Sequence, residues 1–154
     1  MKPLKYLVLG FFLISFCSCG MSQIFGGKVN FKGQVKEQKN NAMPLKGGSV
    51  SKGVGFKTIV YVYAPTTVPE IDDNKTPGPI TTKIRTQLID SVQTDNLGYF
   101  KMHLQSGKYS VFVKYENGYY IPFFAGTNWV SLIEIKAGAV TNLDINISSP
   151  RSYE

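Results

Sequence analysis

Two runs in the second half of the chain, YFKMHLQ and YSVFVKY, alternate apolar and polar residues with a period of two and are joined by Ser106, Gly107 and Lys108. In the first, Phe100, Met102 and Leu104 share one side while Lys101 and His103 share the other; in the second, Tyr109, Val111, Val113 and Tyr115 share one side. Helical winding would mix these classes around the axis, whereas a pleated strand separates them cleanly. Turn chemistry brackets both runs. Asp95-Asn96-Leu97-Gly98 precedes them, with Gly98 able to supply a positive φ, and Glu116-Asn117-Gly118 follows. No stretch after the N-terminal segment places apolar residues at helical spacing over about eleven residues or more. The chain is therefore expected to be all-β.

The same pattern recurs along the chain. KVNFKGQVK sets Val29, Phe31, Gly33 and Val35 against Asn30, Lys32, Gln34 and Lys36. KTIVYVYA sets Thr58, Val60, Val62 and Ala64 against Ile59, Tyr61 and Tyr63; apolar groups on both faces predict a central strand or a surface that meets something. IRTQLIDSVQTD reads as a strand with an irregularity near Leu88-Ile89. WVSLIEIK and VTNLDINIS are expected to pair as a closing hairpin around Ala137-Gly138, with Leu143, Ile145 and Ile147 inward. About seven strands suit a two-sheet sandwich. Two segments lack periodicity and are rich in Gly, Pro, Asn and Lys, residues 37–55 and 65–83, and both are expected to be mobile loops. Pro65, Pro69, Pro77 and Pro79 exclude a central strand from the second.

The N-terminus carries an address. Lys2 and Lys5 precede LVLGFFLISF, an uncharged apolar run from Leu7 to Phe16. Basic residues before a short apolar run make a signal peptide, and the run is too short for a spanning helix, which takes about 20 residues. Both cysteines follow at once, Cys17 and Cys19. A bridge across so short a separation would strain the backbone, and a metal site takes about four ligands, while the only histidine, His103, lies far along the chain. What remains resembles the lipobox of bacterial lipoproteins, in which a small residue precedes the cysteine that is acylated. Ser18 precedes Cys19 and Gly20 follows it, whereas bulky Phe16 precedes Cys17. The resemblance implies cleavage before Cys19, which then carries two or three acyl chains; ordinary secretion with cleavage near Gly20 is the alternative. One chain holds a protein marginally and two hold it stably. The expected organisation is a signal peptide over 1–18, a tether over 19–28, a β-sandwich over 29–148 and a tail over 149–154.

Of 154 residues, 136 remain after such a cleavage, enough for one domain with a core. The formal charge of +7 falls to a surplus of five, 15 basic against 10 acidic side chains, because Lys2 and Lys5 leave with the leader. The lysines are scattered along several segments, so nucleic acid is not an expected partner. Catalysis is not expected either. His103 reads as a solvated strand residue without a partner for a nucleophile. Asp72 and Asp73 match no calcium-loop spacing. No metal and no cofactor are expected.

The segment from Gln93 to Pro122 is similar to the carboxypeptidase regulatory-like domain, a family with a transthyretin-like (prealbumin-like) sandwich related to the immunoglobulin-like architecture. The matching residues are Thr94, Asp95, Gly98, Phe100, Gly107, Tyr109, Val111, Val113, Gly118 and Tyr119, with Gly33 and Val35 in the opening strand. They are turn and core residues, so the resemblance implies a fold rather than an activity. Transthyretin-like enzymes that hydrolyse ureide rings use several histidines and a C-terminal Tyr-Arg-Gly-Ser; this chain ends SPRSYE.

Two functions fit. One is a non-catalytic envelope protein anchored by lipid on Cys19, placed in the outer membrane facing the periplasm because no Asp and no acidic run follows that cysteine, with an envelope protein as partner. The other binds a glycan or small ligand through loop aromatics. Both point to GYYIPFFAGTNW, which holds Tyr119, Tyr120, Phe123, Phe124 and Trp129. Those rings either cap the end of the sandwich as core, or leave at least Tyr120 and Phe124 exposed as a binding patch.

Overall fold

The computed structural model describes residues 28–38, 53–71, 78–126 and 128–148. Thirteen short strands occur among them: β1 (Phe31–Gln38), β2 (Val54–Gly55), β3 (Ile59–Tyr63), β4 (Ile80–Thr81), β5 (Leu88–Gln93), β6 (Tyr99–Met102), β7 (Gly107–Tyr115), β8 (Gly118–Tyr120), β9 (Phe124–Ala125), β10 (Trp129–Val130), β11 (Leu132–Ile135), β12 (Thr141–Asn142) and β13 (Ile145–Ser148). A single 3₁₀ turn covers Val68–Glu70. The described residues are all-β, as the alternation predicts.

One sheet is built on β1. Along one edge β6 and then β2 pair with it antiparallel, and along the other β12 and then β13 pair with it parallel. The second sheet runs β5-β3-β7-β8-β4, with β11 continuing the β8 position along the first half of β7. The two sheets face one another across a core made by Phe31, Val35, Phe100, Met102, Ile145 and Ile147 from the first and Val60, Val62, Val111, Val113, Tyr115, Tyr120 and Ile135 from the second. The expected inward residues Phe100, Met102, Leu104, Val111, Val113 and Tyr115 are buried, Tyr109 and Leu143 are only half-buried at the margin of the core, and Lys101 and His103 are exposed. The irregularity lies where expected: Val62 pairs with Asp90 and Tyr63 with Leu88, leaving Ile89 as the extra residue of a bulge.

Glycines let backbones meet at several crossings. A Cβ on Gly33 would lie 1.8 Å from the Leu143 carbonyl oxygen, and one on Gly98, at φ +80°, 2.0 Å from that of Val35. Gly118 also works by close approach, because its Cβ would meet the Thr81 carbonyl oxygen at 2.7 Å; the positive φ of that turn falls on Glu116 instead.

Three expectations need correction. The last two strands do not form a hairpin. β11 pairs with β7, and the chain then crosses at Ala137-Gly138 to the other sheet, where β12 and β13 lie parallel to β1. The crossing puts Ile135 and Ile145 on facing sheets, so both reach the same core; a hairpin would have kept them in one sheet. The strands are also shorter and more numerous than about seven, because collinear pieces share one neighbour.

The third correction concerns the proline-rich segment, which is not a single mobile loop. Residues 72–77 lie outside the described residues, but the flanks are packed. Thr66, Ile71 and Thr81 are buried, and β4 pairs with β8. Ile71 joins Tyr63, Phe112, Ile121 and Val130 in a second core on the outer face of the β3–β7 sheet. Glu70 closes the 3₁₀ turn by accepting from the Thr67 backbone N–H and hydroxyl, each at 2.7 Å. Of the other expected loop, residues 39–52 lie outside the described residues, and its end is ordered as β2.

Candidate interaction surface

The segment after β7 threads between the two cores. Gly118, Tyr119 and Tyr120 form β8, so Tyr119 and Tyr120 leave on opposite faces. Tyr120 points into the sandwich, is buried, meets Tyr115 edge-on at 6.3 Å, and donates its hydroxyl to the Asn146 carbonyl at 3.1 Å. It thus ties β8 in one sheet to β13 in the other. Of the two readings of this ring, the structure selects core.

Tyr119 lies half-buried on the outer face. Its ring meets Tyr61 edge-on at 5.4 Å, and the Lys114 ammonium stands 5.4 Å from its centroid, within cation–π range. Its hydroxyl is hydrogen-bonded to that of Tyr63, whose ring packs edge-on against Phe112 at 5.5 Å. Burial, then the neighbouring Tyr119 hydroxyl, push the Tyr63 phenol from 10.0 up to about 12. The folded protein therefore keeps this proton over a range in which an unfolded chain releases it. That contribution to stability is whole below pH 10 and is lost as the pH climbs to about 12. Tyr63→Phe is expected to flatten the alkaline fall in stability across this window, measured by circular dichroism; coincident curves for the two proteins would contradict it.

Beyond β8 the chain turns away. Ile121 donates to the Pro79 carbonyl at 2.7 Å, and Pro122 has no N–H with which to continue a ladder. Phe123 is half-buried, and its carbonyl accepts from the Ser131 N–H at 2.9 Å and hydroxyl at 3.0 Å. β9 and β10 then form a small ribbon with Phe124 opposite Val130 and Ala125 opposite Trp129. Pairing of that kind sends the Phe124 and Trp129 rings to opposite faces of the ribbon. Both remain 41% exposed, while Val130 is buried in the second core. Gly126, at φ +65° and with nothing within 4 Å of where a Cβ would stand, opens the tip.

The ribbon is fixed to the neighbouring segment by backbone bonds, and the one that reaches Thr66 is buried. Val130 donates to the Thr66 carbonyl and Val68 to that of Asn128, each at 2.9 Å. Thr66 donates its N–H to the Ser110 hydroxyl at 2.9 Å, and its own hydroxyl lies 2.7 Å from that of Thr86. Ser131 holds a φ of +45° at the junction of β10 and β11. Every buried polar side chain among the described residues has a partner.

The five sequence-selected residues therefore divide. Tyr120 is core, Tyr119 and Phe123 are half-buried supports, and Phe124 and Trp129 form the exposed part. The second core was not foreseen, although the unbroken apolar run Val111-Phe112-Val113 signals a strand buried on both faces. Among the described residues no group of three His, Cys, Asp or Glu side chains could hold a metal ion. His103 sits at the surface with Nδ1 2.9 Å from the Lys28 carbonyl oxygen. Cys17, Cys19, Asp72 and Asp73 lie outside the described residues. Comparison of the chain with protein-family models, with curated proteins and with solved structures finds no match in any of the three.

Proposed function

We propose that the protein is a non-catalytic, lipid-anchored envelope module whose transthyretin-like sandwich presents the β9–β10 ribbon to another envelope protein. One observation carries the proposal: Phe124 and Trp129 stay exposed on a ribbon whose backbone is tied to Thr66 and Val68, with Thr66 and Val130 buried. Exposed aromatic rings on a rigid support suit an interface, because they bring large contact area with little ordering cost. The anchor rests on Cys19 after Ser18 and the apolar run before it, and it places the sandwich at the outer membrane facing the periplasm. The likeness to carboxypeptidase regulatory-like domains is supported by the roles of its matching residues. Thr94, Asp95 and Gly98 build one turn, and Gly33 permits a backbone crossing.

Affinity capture from solubilised membranes tests the proposal. The full-length protein is expected to retain a specific partner, and Phe124→Ala with Trp129→Ala is expected to weaken that capture about tenfold or more. Cys19→Ala should abolish palmitate labelling while Cys17→Ala keeps it. Equal capture by the double variant would end the interface reading, and label persisting on Cys19→Ala would end the anchor assignment.

A further inference from the structure

The edges of the two sheets part between β5 and β6, and a cavity of about 630 Å³ opens there, within the range of small-molecule sites, about 300–1,000 Å³. Its floor is apolar, formed by Val92 and by Phe100, a core ring. Its rim is not. Lys57 and Lys101 both line it, and neither ammonium has an ion-pair partner among the described residues. Lys101 also stands directly opposite Lys32 on β1. Like charges at directly opposed positions of a ladder repel, so the sheet carries a cost that an anion at Lys101 would relieve. The one carboxylate on the rim, Asp95, already accepts the Leu97 and Tyr99 N–H groups on Oδ1, at 2.9 and 2.8 Å. The local balance is positive.

The remaining lining completes a recognisable chemistry. Tyr99 stands on the rim 53% exposed, so its ring is open to solvent, and its hydroxyl has no partner among the described residues. The amides of Gln93 and Asn96 also line the cavity, each free to donate and accept. These groups stand on a rigid frame. The Thr94 hydroxyl accepts the Thr58 N–H at 2.7 Å and reaches the Phe56 carbonyl at 3.0 Å. Asp95 donates its N–H to the Tyr99 carbonyl at 2.9 Å, which closes the turn. A rim ordered before binding costs less to engage a ligand.

We infer that this cleft binds an acidic saccharide. The Tyr99 ring covers the flat C–H face of a pyranose, the amides of Gln93 and Asn96 meet its hydroxyls, and Lys57 and Lys101 hold its carboxylate as point charges. The site is independent of the anchored-module reading, because neither Phe124 nor Trp129 lines it.

Calorimetric titration of the full-length protein in detergent micelles tests this with three probes: trigalacturonate, its fully methyl-esterified form, and adenosine monophosphate. Trigalacturonate is expected to saturate one site, and the ester, which keeps the rings and loses the charge, to bind about tenfold more weakly. Tyr99→Ala and Lys57→Gln should each weaken trigalacturonate about tenfold with unchanged melting temperatures. Lys101→Gln separates function from structure, since it should weaken binding while melting at or above wild type, having removed the repulsion with Lys32. Trp129→Ala should bind normally. Equal affinity for acid and ester, normal binding by Tyr99→Ala or Lys57→Gln, tighter binding of adenosine monophosphate than of trigalacturonate, or saturation by none of the probes would each overturn the assignment.

Discussion

Phe112→Ala destabilises the domain as much as Phe31→Ala does, by about 3–5 kcal/mol. The two rings occupy different cores. Phe31 lies between the sheets, against Phe100 at 5.3 Å, and Phe112 lies on the far side of the β3–β7 sheet against Tyr63. Both are fully buried. In a plain two-sheet sandwich the outer face would be solvated, and truncating a ring there would cost little. The large expected effect comes from the layer that covers this face, made by Val68, Ile71, Ile84, Ile121 and Val130. Urea denaturation of both variants measures it. A cost below about 1 kcal/mol for Phe112→Ala, the range of ordinary surface changes, would mean that the outer layer is not packed.

Gly33→Ala prevents accumulation of the folded protein. The added methyl would lie 1.8 Å from the Leu143 carbonyl oxygen, 2.7 Å from its carbon and 2.9 Å from the Phe100 ring. A ring can swing, but the Leu143 backbone is held by its N–H donated to the Lys32 carbonyl at 3.0 Å. Relief therefore requires the 143 segment to leave β1, which draws Ile145 and Ile147 out of the core. Gly138→Ala makes the contrast. Its φ of +73° is unfavourable for a side chain, but nothing stands within 4 Å, so the cost is the left-handed strain alone, about 1–2 kcal/mol. Thermal unfolding compares them, and a Gly33→Ala protein melting as high as Gly138→Ala would contradict the crossing.

Alternation made the inner core legible because it reports a face directly. Phe100, Met102, Val111, Val113, Ile145 and Ile147 could be placed from the period of two alone. What alternation cannot report is which sheet a strand joins. The hairpin expected at Ala137-Gly138 failed for that reason, since local turn chemistry is the same whether the chain returns to its neighbour or crosses over. The outer layer was hidden by composition. Pro65 and Pro69 argue against a strand, and they do keep the segment irregular, yet Thr66 and Ile71 are buried within it. The aromatic stretch was located but could not be divided. Tyr120 and Phe124 look alike in sequence, and only the position of β8 between the cores sends one inward and leaves the other on the ribbon. The cavity was invisible because Lys57, Gln93, Tyr99 and Lys101 come together only through the parting of β5 from β6.

The division of that aromatic stretch is the claim on which the proposed interface depends, and site-specific photocrosslinking in intact cells tests it most directly. A photoreactive phenylalanine analogue placed at 120, 124 or 129 in the full-length protein is the probe. Positions 124 and 129 are expected to give the same discrete adduct to another envelope protein, and position 120, inside the sandwich, is expected to give none. Absence of an adduct from 124 and 129, or an equal adduct from 120, would contradict the account.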